Sequence, residues 1–377
     1  MRLLLSGGGT GGHVYPALTV LSDLAQATSG WAGGPPITDL TSQTLWVGSE
    51  DGMEAELVAR AGVPYAGIPA GGLRGKSPTV ALRNVGKLSV GYTRARGLLK
   101  QFRPDVVFAT GGYVGVPVVI AARQMGVKSA LYLPDIQPGL AIQALARLVN
   151  VVCVSFEASR RYLPAKKVVE TGYPTRPELF AARDKAAARG ALGLEADTPT
   201  VLIFGGSRGA QRINEAAYGA APAILERAQI IHVTGQGQDT GPADAIQALP
   251  TGHRYHAYTY LHAEMVDALQ AADLVVSRAG AATLGEYPAV GVAAILVPLA
   301  ISGGHQRPNA EFLAQAGGAV IVPNEELTAE RLAREVVAAL GDPPRLAAQA
   351  AAMRRLARPD GAHRIAQELV RLAGGAP

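Results

Sequence analysis

The sequence has little of what several protein classes require. Cys153 is the one cysteine among 377 residues, which excludes an intramolecular disulfide and a cysteine-based metal cluster. No apolar stretch approaches the roughly 18 uninterrupted residues of a membrane span, and the N-terminus turns to glycine too early for a secretory signal. The chain contains no Asp-x-Asp pair and no His, Asp or Glu cluster with metal-ligand spacing. We therefore expect a cytoplasmic protein without a fixed metal ion.

Acidic residues are missing from one long segment. Between Leu57 and Pro104 the chain has nine Lys or Arg residues and no Asp or Glu, although its net charge is only +5. Apolar residues recur every three or four positions over 80–102, which predicts an amphipathic helix. A basic amphipathic helix is typical of an anionic membrane surface, so we predict docking through segment 74–103; alternatively, the stripe packs on a sheet and the cations face water. The segment has few aromatic side chains for base stacking, so no nucleic acid is expected.

Short apolar runs separated by helix-length segments dominate the rest of the chain. The runs lack polar alternation, as in parallel strands that helices cover on both faces. This pattern predicts an α/β fold of the doubly wound type. The predicted strands are Leu3–Leu5, Thr44–Val47, Val106–Ala109, Ala130–Leu133, Val151–Val154, Val168–Thr171, Val201–Phe204, Ile230–Val233, Leu274–Ser277, Ala294–Val297 and Val320–Val322.

Interruptions of this pattern indicate that the chain consists of two similar halves. Prolines and a glycine break it over Thr171–Glu178, and Thr200–Gly206 then repeats the strand-then-glycine arrangement of residues 1–9. We therefore predict two domains joined near residue 173. A final helix is predicted over Gly361–Leu372, and its apolar face is able to dock on either half.

Glycine is abundant, with 45 residues, and much of its information lies in four loops between a predicted strand and a predicted helix. Glycine lets backbone N–H groups approach a ligand closely, and a following helix N-terminus favours negative charge. Each loop is therefore either a candidate diphosphate site or simply a tight strand-to-helix turn. The loops are Ser6–His13, Thr110–Gly115, Gly205–Ala210 and Ser277–Glu286.

Two of these loops match motifs of other enzyme classes. Gly7, Gly9 and Gly12 fit the G-x-G-x-x-G signature of an NAD-dependent oxidoreductase, which also needs an acidic residue about 20 positions on. Here the acidic residue that follows the second predicted strand is Glu50, which lies nearly forty residues after Gly12. Ser207 stands in a Gly-x-Ser-x-Gly sequence, the nucleophile turn of a hydrolase, which would require a matching His and Asp. Both remain as alternatives.

Taken together and in order over roughly 300 residues, the motifs resemble the MurG family of GT-B glycosyltransferases. The family transfers N-acetylglucosamine from UDP to the lipid-linked muramyl-pentapeptide precursor of peptidoglycan. The resemblance implies two Rossmann-like domains facing across a cleft. Residues 1–172 would take the acceptor and face the membrane, residues 173–358 would bind the donor, and the helix in 359–377 would pack back on the first domain. The motifs are Gly8–His13, Gly71–Lys76, Pro104–Val107, Gly111–Tyr113, Gly172–Arg176, Gly205–Ala210, Ser277–Glu286 and His305–Ala310.

The resemblance also implies a donor site for UDP-N-acetylglucosamine, with no required cofactor. Ser207 would bind the diphosphate near Arg176, and Glu286 would bind the ribose hydroxyls. The backbone at Leu261 would read the uracil edge, and Gln306 would hold the sugar hydroxyls, because an amide both donates and accepts. The implied donor set also contains Thr10, Gly11, Gly12, Ala281, Ala282, Thr283, Leu284, Gly285 and His305.

The first half would hold the lipid-linked acceptor. Gly111, Gly112 and Tyr113 would face its diphosphate and sugar, together with the loop before His13. His13 would act as general base, since histidine exchanges protons near neutral pH. Direct attack on the anomeric carbon would invert its configuration. The implied setting is the inner face of the cell membrane, where the protein is peripheral and where cell-wall synthesis enzymes are candidate partners.

One segment departs from the family pattern. Where members carry His-Glu-Gln-Asn, this chain reads Tyr132–Gly139, and Asp135 falls on the Asn or replaces the Glu chemically. Asp135 is therefore a second candidate catalytic residue, unless it only shapes the turn. Two alternatives follow: transfer to a different lipid or glycolipid acceptor, or a catalytically impaired nucleotide-sugar-binding protein.

Overall fold

The fold is that of a computed structural model, which describes residues 1–8, 11–26, 31, 34–52, 54–71, 78–181, 184–237, 243–299 and 304–375, without the side chains of 11, 78–85 and 243. The chain forms two compact units. Unit 1 comprises Met1–Thr175 and Pro359–Pro377, and unit 2 comprises Arg176–Arg358.

Unit 1 is built on a parallel sheet of seven strands in the order β3-β2-β1-β4-β5-β6-β7. Its central strands β1 and β4 are buried along their whole length and are apolar except for Ser6, as expected when both faces of a sheet carry helices. The strands are β1 (Leu3–Ser6), β2 (Thr44–Ser49), β3 (Tyr65–Ile68), β4 (Val106–Ala109), β5 (Lys128–Leu133), β6 (Val151–Val154) and β7 (Val168–Glu170).

The helices of unit 1 connect these strands and cover the sheet. The long basic helix α4 packs on α5 through Ala95 and Leu99, which are buried in the same core cluster as Val118. Up to β7 the described helices are α1 (Gly11–Ala25), α2 (Leu40–Gln43), α3 (Glu54–Arg60), α4 (Pro78–Phe102), α5 (Gly115–Gln124) and α6 (Leu140–Leu148), with 3-10 turns at Glu157–Tyr162 and Ala165–Lys167.

Unit 2 repeats the design with a parallel sheet of six strands in the order β10-β9-β8-β11-β12-β13. Its strands are β8 (Thr200–Phe204), β9 (Gln229–Val233), β10 (Tyr255–Tyr258), β11 (Leu274–Ser277), β12 (Ala293–Leu296) and β13 (Ala319–Ile321). Its helices are α7 (Lys185–Ala191), α8 (Gln211–Leu225), α9 (Ala243–Gln247), α10 (Glu264–Ala271), α11 (Thr283–Val290), α12 (Gln306–Gln315), α13 (Ala329–Leu340) and α14 (Pro343–Arg355), with 3-10 turns at Pro177–Leu179, Gly252–Arg254 and Asn324–Glu326.

The last helix, α15 (Gly361–Leu372), returns to unit 1 and packs on α1. Ile365 and Leu369 are fully buried on its apolar face. At its polar margin, His363 Nδ1 lies 3.1 Å from Asp23 Oδ2. Because both apolar and polar sides of α15 have partners on α1, the chain end is part of the unit 1 fold.

The predicted fold class is confirmed, and each predicted strand is present. Two strands were not predicted, β3 and β10, and each lies at a border of its sheet. The predicted amphipathic helix is α4. Among the described helices, none combines the length and the apolarity needed to cross a bilayer.

Candidate active site

The candidate residues of unit 1 lie at one edge of its sheet. β1, β4 and β5 are neighbours, and parallel strands direct their carboxyl ends to the same edge. His13 lies in the first turn of α1, just after β1, whereas Gly111 and Gly112 follow β4 and Asp135 follows β5. The structure therefore brings the segments of these candidates to neighbouring positions along the edge, although they are separated by up to about 120 residues in sequence.

His13 is held by the loop that follows β4. Its Nδ1 lies 2.6 Å from the carbonyl oxygen of Thr110, and the Thr110 hydroxyl donates to the carbonyl oxygen of His13 at 2.7 Å. A carbonyl oxygen only accepts, so Nδ1 carries the hydrogen in this contact. In the neutral ring, Nε2 is then the nitrogen with the free lone pair. The fold thus leaves the basic nitrogen outside the bond that orients the ring.

The glycines after β4 allow this contact. Gly111 has φ +109° and Gly112 has φ +79°, a region that side chains other than glycine rarely occupy. A Cβ at Gly112 would lie 2.7 Å from the carbonyl oxygen of Gly8, and one at Gly111 would lie 3.0 Å from the His13 ring. The loops after β1 and β4 therefore pack backbone against backbone, and glycine is a steric requirement there.

Asp135 occupies a turn that buried hydroxyl groups hold in place. Ser155 donates to the carbonyl oxygen of Pro134 at 2.9 Å, and the Tyr132 hydroxyl lies 2.8 Å from the Ser155 hydroxyl. The Asp135 side chain itself is partly exposed at the sheet edge. Nearby, the ring of Tyr113 is 42% exposed, so both are accessible to a ligand.

The candidate residues of unit 2 occupy the corresponding edge of the second sheet. Ser207 is exposed in the loop between β8 and α8, where Gly206 has φ +97°. The neighbouring loop after β9 approaches so closely that a Cβ at Gly235 would lie 2.1 Å from the nitrogen of Gly209. The loops after β8 and β9 therefore pack backbone against backbone beside the start of α8, and a helix N-terminus favours negative charge such as that of a phosphate group.

Glu286 and Arg176 form an ion pair in unit 2. A carboxylate oxygen of Glu286, in the first turn of α11, lies 3.5 Å from the Arg176 guanidinium, and their side chains are 23% and 34% exposed. Burial raises the pKa of Glu286, and the Arg176 charge opposes that rise. The pair keeps an acceptor and a cation accessible side by side, as recognition of hydroxyls and phosphate requires.

The other donor candidates take several positions. Leu261 is buried after β10, His305 precedes α12, and Gln306 begins that helix. The Gln306 amide oxygen accepts from the backbone N–H of Leu299 at 2.8 Å, so its NH₂ group faces elsewhere.

Thr10 lies outside the described residues. Gly11 and Gly12 begin α1, Ala281 and Ala282 form the turn before α11, and Thr283, Leu284 and Gly285 form its buried first turn.

Two residues that hold these candidate segments in place were not predicted from the sequence. Thr110 is one, because its bond to His13 joins residues 97 positions apart. Glu54 is another, because its buried carboxylate accepts from the backbone N–H of Ser49 at 2.8 Å and packs against Gly8. An acidic residue shortly after β2 was the sequence signal that could have indicated Glu54. Among the residues that the structure describes, no group of three or more His, Cys, Asp or Glu side chains is placed to hold a metal ion.

Comparisons with known proteins identify the family. Residues 3–154 match the glycosyltransferase family 28 N-terminal domain, and residues 200–365 match the C-terminal domain of the same family. The UDP-N-acetylglucosamine--N-acetylmuramyl-(pentapeptide) pyrophosphoryl-undecaprenol N-acetylglucosamine transferase of Roseiflexus sp. (strain RS-1) is 41% identical, over 97% of this chain and 94% of that protein. The protein of the same name from Desulforudis audaxviator (strain MP104C) is 37% identical over 99% of each chain.

Solved structures agree with the sequence relatives. The crystal structure of Acinetobacter baumannii MurG superposes with a TM-score of 0.74 at 30% identity, over 98% of this chain and 99% of that chain. A UDP-GlcNAc 2-epimerase from Neisseria meningitidis, with a TM-score of 0.65 at 15% identity, shares the fold alone. The chain therefore belongs to glycosyltransferase family 28 and, within it, to the MurG family of two-domain GT-B glycosyltransferases.

Proposed function

We propose that this protein transfers N-acetylglucosamine from UDP-N-acetylglucosamine to lipid-linked N-acetylmuramyl-pentapeptide, the reaction for which its curated relatives are named. The observation that carries the proposal is the 41% identity to the Roseiflexus transferase over 97% of the chain. The glycine loops at the carboxyl edges of both sheets support it, because they offer backbone donors to phosphate-bearing substrates.

Unit 2 is assigned to the donor. The loop around Ser207 receives the diphosphate, with Arg176 supplying a positive charge. Glu286 accepts from the ribose hydroxyls, and the NH₂ group of Gln306 donates to the sugar. When the glycosidic bond breaks, the electron pair leaves with the diphosphate, whose added charge the N–H groups and Arg176 stabilise.

Unit 1 is assigned to the acceptor and the general base. The attacking hydroxyl forms a new bond to the anomeric carbon while the bond from that carbon to the diphosphate oxygen breaks. His13 Nε2 receives the hydroxyl proton, and the Thr110 carbonyl stabilises the resulting imidazolium through Nδ1–H at 2.6 Å. Attack opposite to the leaving group inverts the anomeric carbon. Asp135, Gly111, Gly112 and Tyr113 contact the acceptor.

Helix α4 is assigned to an anionic membrane surface on the inner face of the cell membrane. Over its described side chains, Ala95 and Leu99 are buried against the sheet. Lys87, Arg96 and Lys100 are exposed, and Val90 is 50% exposed beside them. Arg74 and Lys76, the start of the basic segment, lie outside the described residues. Exposed cations near anionic lipid contribute about 1 kcal/mol each, enough for reversible docking close to a lipid-borne acceptor.

A transfer assay with two acceptors tests the proposal. UDP-N-acetylglucosamine labelled in the sugar is incubated with lipid-linked muramyl-pentapeptide or with diacylglycerol, and lipid-extractable label is counted. We expect label only on the muramyl-pentapeptide lipid. The altered segment at Asp135 favours one competing function, transfer to another glycolipid; label on diacylglycerol alone would establish it. Donor binding by calorimetry without transfer to either lipid would indicate an impaired nucleotide-sugar-binding protein.

A further inference from the structure

Unit 2 contains a cavity of about 530 Å³ at the carboxyl edge of its sheet, outside the residues assigned to the donor. Arg278 follows β11, Leu299 follows β12, and Arg212 belongs to the first turn of α8. The volume falls within the range of small-molecule sites, about 300–1,000 Å³. The lining residues are Gln211, Arg212, Glu215, Ala216, Arg278, Leu299, Asn324, Leu327, Thr328 and Ala329.

Two arginines supply the positive charge of this cavity. Arg278 donates to the carbonyl oxygen of Val297 at 3.1 Å and to Asn324 Oδ1 at 2.6 Å. Arg212 donates to the carbonyl oxygens of Leu327 at 3.3 Å and Glu325 at 2.7 Å. Within the described parts of the chain, neither guanidinium forms an ion pair with a carboxylate. All four acceptors are neutral, so the two charges are fixed in place and left uncompensated.

Of the two charges, that of Arg278 is the more costly to hold without a carboxylate. Arg278 is partly buried, and both its burial and the charge of Arg212 lower its pKa. A buried charge is normally paired. The carboxylate that lines the cavity, Glu215, is exposed and accepts from the Gln211 amide at 2.8 Å. Two cations against one carboxylate give the side chains that line the cavity a net positive charge, which favours an anionic ligand.

We propose that this cavity is a second anion site, separate from the donor site, and that it takes a phosphate monoester of sugar-phosphate size. The guanidiniums of Arg212 and Arg278 bind the phosphate, because their planar donors match its oxygens. The side-chain amides of Gln211 and Asn324 and the apolar wall at Leu299 contact the rest of the molecule. The cavity of about 530 Å³ has room for more than a free phosphate, which favours a larger ester.

Calorimetric titration of the full-length protein with glucose 6-phosphate tests the site. UDP is kept at saturating concentration throughout, so that the donor diphosphate site is occupied. We expect one equivalent to bind, with about tenfold lower affinity in Arg278→Gln and in Arg212→Gln, since each loses a charge-assisted contact. Arg227→Gln, an exposed arginine of the same unit, is the matched control and keeps wild-type affinity.

A further variant separates a binding role from a structural one. Glu215→Gln removes the opposing charge and is expected to strengthen glucose 6-phosphate binding several-fold, which a purely structural residue would not do. Arg212 is exposed, so Arg212→Gln keeps the test decisive if Arg278→Gln fails to fold. Inorganic phosphate should bind more weakly than glucose 6-phosphate. Equal binding of the two anions, wild-type affinity in Arg212→Gln, or no binding to the UDP-saturated protein would each overturn the proposal.

Discussion

The candidate role of His13 depends on a hydrogen bond that cannot be read from the local sequence. The glycine motif alone indicates a histidine at the start of a helix after a strand, which is compatible with a helix-packing role. The contact between Nδ1 and the Thr110 carbonyl at 2.6 Å determines which ring nitrogen keeps its lone pair free. It depends on two strands that are adjacent in the sheet and far apart in the chain, so the role of Thr110 was not predictable from local sequence.

Replacing His13 tests the assignment of the general base. In His13→Ala we expect turnover to fall by about 100-fold or more, the usual contribution of a general base, with unchanged affinity for UDP-N-acetylglucosamine. Steady-state rates and donor calorimetry provide the two readouts. The matched variant Thr110→Val keeps the carbonyl acceptor and should lose much less activity. Wild-type turnover in His13→Ala would remove the base from this position.

Glu286 predicts a pH dependence of donor binding. Burial raises the pKa of this carboxyl, so the carboxylate is present above that pKa and is lost as the pH falls through it. The wild-type affinity for UDP-N-acetylglucosamine should therefore decrease as the pH is lowered from neutral through that pKa. Glu286→Gln should bind about tenfold more weakly at neutral pH, because it lacks a charge-assisted acceptor, and its affinity should vary less with pH.

The exposed carboxylate of Glu226 supplies the control for this experiment. Glu226→Gln removes the same charge from unit 2 and should reproduce the wild-type curve. Identical pH curves for the wild type and Glu286→Gln would show that the Glu286 carboxylate does not contact the donor.

The secondary structure was predictable where strands are buried on both faces. Such strands read as continuous apolar runs, and each of those runs is a strand in the structure. The two missed strands, β3 and β10, lie at the borders of their sheets, and most of their residues are only partly buried. Their sequences, Tyr65–Ile68 and Tyr255–Tyr258, mix aromatic, polar and small residues. The other border strands, β7 and β13, were predicted because consecutive Val or Ile residues mark them. The sequence signal is therefore weak where a border strand also lacks such a run.

Helix α4 illustrates how one pattern serves two purposes. Its apolar stripe was compatible with packing on the sheet and with insertion into lipid. In the described part, Tyr92, Ala95 and Leu99 belong to or pack against the unit 1 core, so the stripe is used for folding. The exposed cations are then what is left to contact a membrane.

Charge removal on α4 tests that contact. The triple variant Lys87→Gln, Arg96→Gln, Lys100→Gln should bind vesicles containing phosphatidylglycerol about tenfold or more weakly than the wild type, because about 1 kcal/mol is lost per cation. Sedimentation with vesicles measures the bound fraction, and added salt should reduce wild-type binding. A triple variant of exposed unit 2 arginines, Arg227→Gln, Arg345→Gln, Arg355→Gln, is the control. Equal losses in both triple variants would indicate nonspecific attraction instead of docking through α4.

The whole chain is a repeated α/β design in which the C-terminal helix closes the first unit. The repeat of strand and glycine loop predicted two similar halves. The apolar pattern of the last helix left its docking surface open, and the family resemblance assigned that helix to the first domain. The position of the last helix depends on which surface buries Ile365 and Leu369 and provides Asp23 as a partner for His363. Such a surface exists only after the strands have assembled.

The stereochemistry of the product tests this account most directly. UDP-N-acetylglucosamine carries an α-linked sugar, and the product made with a soluble analogue of the lipid-linked muramyl-pentapeptide can be examined by proton NMR. The anomeric proton coupling reports the new linkage. Direct attack by a hydroxyl deprotonated at His13 predicts a β-linked disaccharide. An α-linked product, or UDP release without a disaccharide, would contradict the proposed single-displacement transfer.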